Sequence, residues 1–434
     1  MASFYSFPQN AKSTLNRFTV SIADDKLQQM KQLIKLSPIG VATYENSLES
    51  GQFGLSRSWL RLAKKEWEES FNWRTHEKFI NSFPNYKLDI TDDDGSVYSI
   101  HFVAMFSTNP SAIPVAFFHG WPGSFLEFLP MLSLLKERYA TADKLPYHIV
   151  VPSLPGYAFS DSPPFDKNWS CGDSARLMHR LLCELGFEQS GYVAQGGDIG
   201  SIISRTLART YAQCKAVHLN FSPAPKLEGV PDSAVDELEA KQLKRAELFF
   251  TNGRAYALEH ATRPATIGLV LSASPVALLA WIGEKFLDWT DEDPPINTIL
   301  ASVSLYWLTD TFPTSVYPYR EMFAPKAHKS LPYCDKPTGY SWFPMELAPA
   351  PKAWVETTAK VVWHRQHTEG GHFAALEKPY LLLADTEDFV KSVWAGATAV
   401  QTAEMWIEMA EILAIALNWF SVIVNETSTY TLLA

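Results

Sequence analysis

The sequence predicts an α/β fold, a mostly parallel sheet covered by helices, with an inserted helical cap and an N-terminal helical and meander segment. Three observations predict it. Apolar strand-like runs alternate with helix-like stretches between Ile113 and Phe221, the pattern of repeated strand–helix–strand units. Strand-like runs return near Gly339 and Lys360 after a long helix-rich interval. Between them, Tyr192-Val193-Ala194-Gln195-Gly196-Gly197-Asp198-Ile199-Gly200-Ser201 passes from an apolar strand through two glycines and an acid into a helix. That is the shape of a nucleophile elbow, where small neighbours are needed because the backbone is crowded.

Residues 1–85 read as helix and loop. Leu27, Met30, Leu33 and Ile34 have helical spacing within 24–36, which ends near Pro38, and Trp59, Leu60, Leu62 and Trp67 share one side of a helix over 56–71. The period then becomes two. Tyr86, Leu88 and Ile90 alternate with polar residues, Asp93-Asp94-Gly95 is a turn, and 97–104 alternate again, which predicts a β-hairpin. The first part of the sheet domain covers 86–223. Its strands are expected at 113–118, 148–151, 192–195 and 217–221, and its helices from 124 to 135, over 174–185 and over 199–214. Sheets of this kind carry their sites beyond the carboxyl ends of the strands. Residues 224–336 read as the cap, with helical runs at 236–250, 269–286 and 296–309. The sheet domain resumes over 337–394, with strands at 339–343 and 360–364 and a closing helix at 380–394.

Residues 395–434 form an apolar C-terminal tail. Its uninterrupted apolar portion, 412–424, is shorter than the roughly 20 residues of a membrane span, so it reads as a packed or surface-lying amphipathic helix. The N-terminus lacks the basic-then-apolar pattern of a signal peptide. The length of 434 residues, 47% of them hydrophobic, supports a large core and two to three domain-sized units. A net charge of −10 without a basic patch excludes nucleic acid as a partner. Cys171, Cys183, Cys214 and Cys334 are widely spaced and read as reduced thiols of an intracellular, cytoplasmic protein.

Asp198 occupies the place where an elbow usually carries serine. A free carboxylate is ionised at neutral pH and needs no base to act as a nucleophile. Its attack on a tetrahedral carbon gives an ester that water can cleave, whereas serine would give an ether. The same residue also fits a second reading, a helix N-cap. Upstream, His119-Gly120-Trp121-Pro122 follows a strand. It is either an ordinary turn or the loop that supplies one oxyanion donor, with the residue after the nucleophile supplying the other. The donors would then be the N–H groups of Trp121 and Ile199. Downstream, Thr368-Glu369-Gly370-Gly371-His372-Phe373 follows the 360–364 strand. His372 fits the chain order nucleophile, acid, histidine; His364 and His367 compete with it, and the Gly-Gly before His372 and the apolar run 373–376 after it favour His372 as the exposed loop residue. Glu346, after the preceding strand, is either the acid that orients the imidazole or a solvated loop glutamate. Asp385 and Asp388 come after His372 and fit the order less well.

Together these motifs make the sequence resemble the microsomal-type epoxide hydrolases of the α/β-hydrolase superfamily, most of all their soluble fungal members. The resemblance covers roughly residues 5–394. It is carried by Gly54-Leu55-Ser56-Arg57-Ser58-Trp59-Leu60, by Trp73-Arg74 through Asn81, Phe83-Pro84 and Tyr86, by His119-Gly120-Trp121-Pro122-Gly123-Ser124-Phe125, by Gly196-Gly197-Asp198-Ile199-Gly200 and by Glu369-Gly370-Gly371-His372-Phe373-Ala374. It implies the α/β-hydrolase fold and two cap tyrosines that hold and protonate an epoxide oxygen. The match falls on Tyr256, in Ala255-Tyr256-Ala257, and on Tyr319, in Tyr317-Pro318-Tyr319-Arg320-Glu321. A register slip of two would select Tyr317. Two features depart from the family pattern: Glu346 stands where fungal relatives often carry Asp, and the tail has no counterpart in the soluble members.

The implied reaction opens an epoxide on Asp198 and hydrolyses the ester with water activated by His372 and Glu346. It yields a vicinal diol without a metal or organic cofactor. The expected partner is a small lipophilic epoxide, not a membrane, and the resemblance carries a homodimer. A haloalkane dehalogenase shares the elbow aspartate, but it usually has Trp directly after the nucleophile, and Ile199 stands there. A non-catalytic binding protein on the same fold is a second alternative. An enzyme that opens a tethered epoxide with an internal nucleophile is a third.

Overall fold

The computed structural model describes residues 4–13, 16–226, 228–323 and 332–394; the reading of an apolar tail over 395–434 lies outside them. The chain divides into two compact units, Met1–Glu387 and Asp388–Ala434. In the second, the described residues 388–394 are helical. The sheet, the cap and the site all belong to the first.

The sheet has nine strands: β1 (Asn16–Arg17), β2 (Asn85–Thr91), β3 (Val97–Met105), β4 (Ile113–Phe118), β5 (Tyr147–Pro152), β6 (Tyr192–Gly196), β7 (Cys214–Leu219), β8 (Cys334–Trp342) and β9 (Ala359–Gln366). Their order is β1-β2-β3-β5-β4-β6-β7-β8-β9. The hairpin β2–β3 and the short β1 form an antiparallel edge that joins at β5. Every pairing from β5 across to β9 is parallel. Val115, Val150, Val193 and Val217 on the central strands are almost inaccessible. Such strands are covered on both faces, which is why they read as continuous apolar runs. Each valine buried this way contributes about 1.5–3 kcal/mol relative to exposure.

Before the sheet proper come α1 (Asp24–Leu36), α2 (Arg57–Glu69) and α3 (Trp73–Ile80). The last matches a segment that the sequence marks by motif and not by periodicity. It is a short helix started by Asn72, whose side chain accepts the N–H of Arg74 at 3.0 Å. Within the sheet domain α4 (Leu129–Arg138), α5 (Cys171–Leu182) and α6 (Asp198–Thr210) follow β4, β5 and β6. α6 packs against β4, β6, β7 and β8. Several expected boundaries shift: β7 and β8 start at Cys214 and Cys334, before the expected 217–221 and 339–343. The helix expected over 199–214 stops at Thr210, because Tyr211 turns extended and Cys214 already pairs with Tyr192 in the sheet. The helix expected over 174–185 starts at Cys171, where Ser170 and Asp173 form a capping box, and it continues as a wider turn to Phe187.

The cap is built of α7 (Glu237–Leu248), α8 (Ala255–Thr262), α9 (Pro264–Leu271), α10 (Pro275–Asp288), α11 (Ile296–Leu308), α12 (Phe312–Ser315) and α13 (Pro318–Phe323). The expected run 269–286 is broken: α9 and α10 meet at 118°. Ser274 caps α10 by accepting the N–H of Ala277 at 3.2 Å, and Pro275 takes the first turn. Proline has no N–H for a helix interior but fits a helix start. Among the described residues no single helix is long and apolar enough to cross a membrane. α14 (Lys352–Val355) leads into β9, and α15 (Ala374–Glu377) precedes a helical stretch from 379 to the end of this unit.

Candidate active site

Four loops at the carboxyl ends of parallel strands converge: 119–124 after β4, the elbow after β6, 343–347 after β8 and 367–373 after β9. At the elbow, Asp198 has φ of +46°, a left-handed conformation that costs a side-chain-bearing residue energy and is found where function demands it. The crowding expected of an elbow is explicit. A Cβ at Gly200 would overlap the carbonyl of Phe118, and one at Gly120 would overlap the Asp198 carboxylate. The carboxylate does not turn back to cap α6. Its Oδ1 accepts the N–H of Trp121 at 2.8 Å, and its Oδ2 lies 3.4 Å from Nε2 of His372. Ile199 is buried in the first turn of α6, where backbone N–H groups have no partner within the helix.

His372 is gripped on several sides. Its backbone N–H donates to the Trp289 carbonyl at 2.9 Å, and its ring meets those of Trp289 and Phe221 edge-on at 5.2 and 5.5 Å. Nδ1–H donates to Glu346 Oε1 at 2.5 Å, and the same oxygen accepts the N–H of Leu347 at 2.6 Å. Glu346 is 2% exposed, so it is not a solvated loop glutamate. Burial alone would lower the His372 imidazole. The charge of Glu346, the hydrogen bond that the ring donates to Asp198 and the remaining pull of both carboxylates outweigh it and raise the ring to about 10.

His367 and Asp385, weighed as alternatives in the sequence, are engaged with each other instead. His367 Nε2 is 2.6 Å from Asp385 Oδ2, in a buried network with Ser341. The His119 ring is fixed between the Gly120 carbonyl and the Leu154 N–H, and burial depresses it to about 4.

On the cap side, α8 and α13 pack together and bring the rings of Tyr256 and Tyr319 to 5.7 Å between centroids. The Trp121 ring stacks on Tyr256 at 5.4 Å and meets Tyr319 edge-on at 5.8 Å. The Tyr319 hydroxyl is buried and has no hydrogen-bond partner among the described residues. Burial, joined by the charge of Asp198, lifts Tyr256 well above 10, and burial, Tyr256 and Asp198 do the same for Tyr319. Tyr317 is elsewhere: its hydroxyl shares a hydrogen bond with Ser174 Oγ at 2.6 Å. The structure thus brings Asp198, His372, Glu346, Trp121, Ile199, Tyr256 and Tyr319 together. Sequence reading missed Trp289 and Phe221, which carry no motif, and Glu127, whose spacing from Ser124 is a capping-box signal. Among the described residues no cluster of three or more His, Cys, Asp or Glu is placed to hold a metal ion.

A mostly parallel sheet, an inserted cap and a strained elbow define an α/β hydrolase, here one whose elbow carries a carboxylate. The family model described as epoxide hydrolase N terminus matches residues 15–128, and that of the alpha/beta hydrolase fold matches 113–269. The chain belongs to the epoxide hydrolase family. It is similar to the Aspergillus niger epoxide hydrolase structure at 49% identity and a TM-score of 0.85, over 90% of this chain and all of that one. It is 46% identical over 394 residues to a provisionally named epoxide hydrolase of Dothistroma septosporum, covering 90% of this chain and 93% of that protein. Epoxide hydrolase 1 of Oryctolagus cuniculus is 28% identical over 423 residues, 87% of this chain and 89% of that one. The reaction is therefore hydrolysis of an epoxide to a vicinal diol through a covalent ester; nothing in the comparisons favours a dehalogenase or a non-catalytic protein.

Proposed function

We propose that Asp198 forms the ester and that the surrounding residues divide the two half-reactions between them. The observation that carries this reading is the polarity of the Asp198 carboxylate, one oxygen on the Trp121 N–H and the other facing His372. Oδ2, free of a backbone donor, attacks an epoxide carbon. The ring C–O bond breaks, and the oxygen takes a proton from the Tyr256–Tyr319 pair. Oδ1 becomes the ester carbonyl, already seated on the Trp121 N–H. Water then gives a proton to His372 and bonds to the ester carbon, while Trp121 and Ile199 N–H groups hold the oxyanion. Collapse releases the diol, with the His372 proton going to its oxygen, and the proton left on the regenerated Asp198 carboxyl returns the tyrosinate to tyrosine, which restores the resting site.

The charges fit this order. With Asp198 ionised, His372 is held in its protonated form. Esterification cancels the Asp198 charge and removes part of that support, which favours the neutral imidazole a base requires. The ring-lined cap face around Trp121, Tyr256, Trp289 and Phe312 favours a lipophilic epoxide. The four cysteines are unpaired, in keeping with action in the cytoplasm. The test is a single turnover with enzyme in excess in heavy-oxygen water. The first diol should carry unlabelled oxygen taken from Asp198, and the label should enter the enzyme. Label in the first diol sinks the assignment.

A further inference from the structure

Asp198 also borders a space that the cap tyrosines do not line. A cavity of about 20 Å³ is walled by Asp198, His372, Glu127, Gly123 and Asn220 among others, and neither Tyr256 nor Tyr319 is part of the wall. A water needs roughly 10–15 Å³ and two to four polar partners; the volume suffices, and Asp198, His372, Glu127 and Asn220 are the polar residues of the wall. Glu127 is built into this wall. It closes a capping box with Ser124, whose N–H donates to Glu127 Oε1 at 3.0 Å. Gly123 makes the fold-back possible, because a Cβ there would overlap that same oxygen. The carboxyl therefore lies against the loop whose Trp121 N–H holds Asp198. Burial pushes it up to about 8, with His372 opposing the rise and Asp198 adding to it. At neutral pH it carries its proton and sets no second negative charge beside Asp198.

We propose that Glu127 is the second anchor of the hydrolytic water: with His372 it holds one water in this cavity, poised on the Asp198 ester. In the step itself the water proton goes to His372 Nε2, the water oxygen bonds to the ester carbon, and the bond from that carbon to the alkyl oxygen breaks. The released alkoxide recovers the proton from His372. Glu127 gains and loses none; it hydrogen-bonds the water and fixes its direction of approach. The arrangement separates the reactants in space, since an epoxide on the tyrosine side leaves the water where it is. This inference rests on the roles given above to Asp198 and His372.

Rapid-quench single turnovers with styrene oxide test it, following the enzyme-bound ester. Glu127→Leu should leave ester formation unchanged and slow ester hydrolysis by on the order of tenfold to a hundredfold, the cost of misplacing a reactant, so that ester accumulates. Glu127→Gln should recover most of the rate, because its amide N–H replaces the acid O–H while its oxygen keeps the Ser124 bond. Ser124→Ala, which weakens the cap and leaves the carboxyl, should lower Tm without slowing hydrolysis. The proposal is overturned if Glu127→Leu hydrolyses the ester at the parent rate, or if it slows both steps equally. Absence of any ester, in the parent enzyme too, would instead refute the role of Asp198.

Discussion

His372 carries opposite requirements in one ring. Asp198 and Glu346 favour its charged form in the resting site, yet the base proposed for hydrolysis must be neutral when water arrives. Replacing it with Gln removes the base and leaves the nucleophile, so His372→Gln should form the ester and fail to release it. Mass spectrometry of the intact variant after exposure to epoxide should show the added mass persisting. The raised ring also links stability to pH. An unfolded histidine titrates near 6.5, and His372 in the fold near 10. Its stabilising contribution is therefore complete below about 6.5 and is lost as pH rises through about 10. The Tm advantage of the parent over His372→Gln should shrink across that window; an advantage that grows with pH would contradict the ion-pair account.

At the scale of elements, the site depends on how closely α6 can approach β4. Gly200 sits in the first turn of α6 under the Phe118 carbonyl. Alanine normally favours a helix over glycine by about 1 kcal/mol. Here Gly200→Ala should invert that sign and destabilise the protein by about 1–3 kcal/mol, the usual cost of overpacking, and displace the elbow as it does so. Urea unfolding and the rate of ester formation measure both effects. Local features of this kind were legible in the chain: the glycines around Asp198, the alternation of the hairpin and the strand–helix rhythm are all short-range patterns. Features that depend on distant neighbours were not. α3 is too short to show a period, and the break between α9 and α10 hides in an apolar run although Pro275 marks it. Tyr317 and Tyr319 are near-equivalent in sequence, yet Tyr317 lies in the turn before α13 and bonds Ser174, whereas Tyr319 lies in the first turn of α13 and meets Trp121. Glu127 announced its cap to Ser124 but not the cavity, because the cavity is made by the 372 loop.

At the scale of the whole molecule, the residues proposed for the two half-reactions stand on different parts of the fold. Asp198, His372 and Glu346 stand on sheet loops, whereas Tyr256 and Tyr319 stand on cap helices. Their alignment requires something to fix the cap, and the N-terminal helices are placed to do so. α1 and α2 both pack against α10 and α11. Trp67 of α2 is 1% exposed, and its indole N–H donates to Ser304 Oγ on α11 at 3.1 Å. The Trp59 ring lies where a Cβ on Gly283 of α10 would reach it at 2.9 Å. Removing Trp67 therefore attacks the brace without touching the sheet loops. Trp67→Ala should cost about 3–5 kcal/mol in stability and should slow epoxide opening more than ester hydrolysis, because the proposed mechanism uses the tyrosines only in the first step. Hydrogen exchange should quicken in α8 and α11 before it does in β4 or β6. If the sheet strands loosened first, or if both chemical steps slowed alike, the N-terminal segment would be supporting the catalytic sheet and not holding the cap over it.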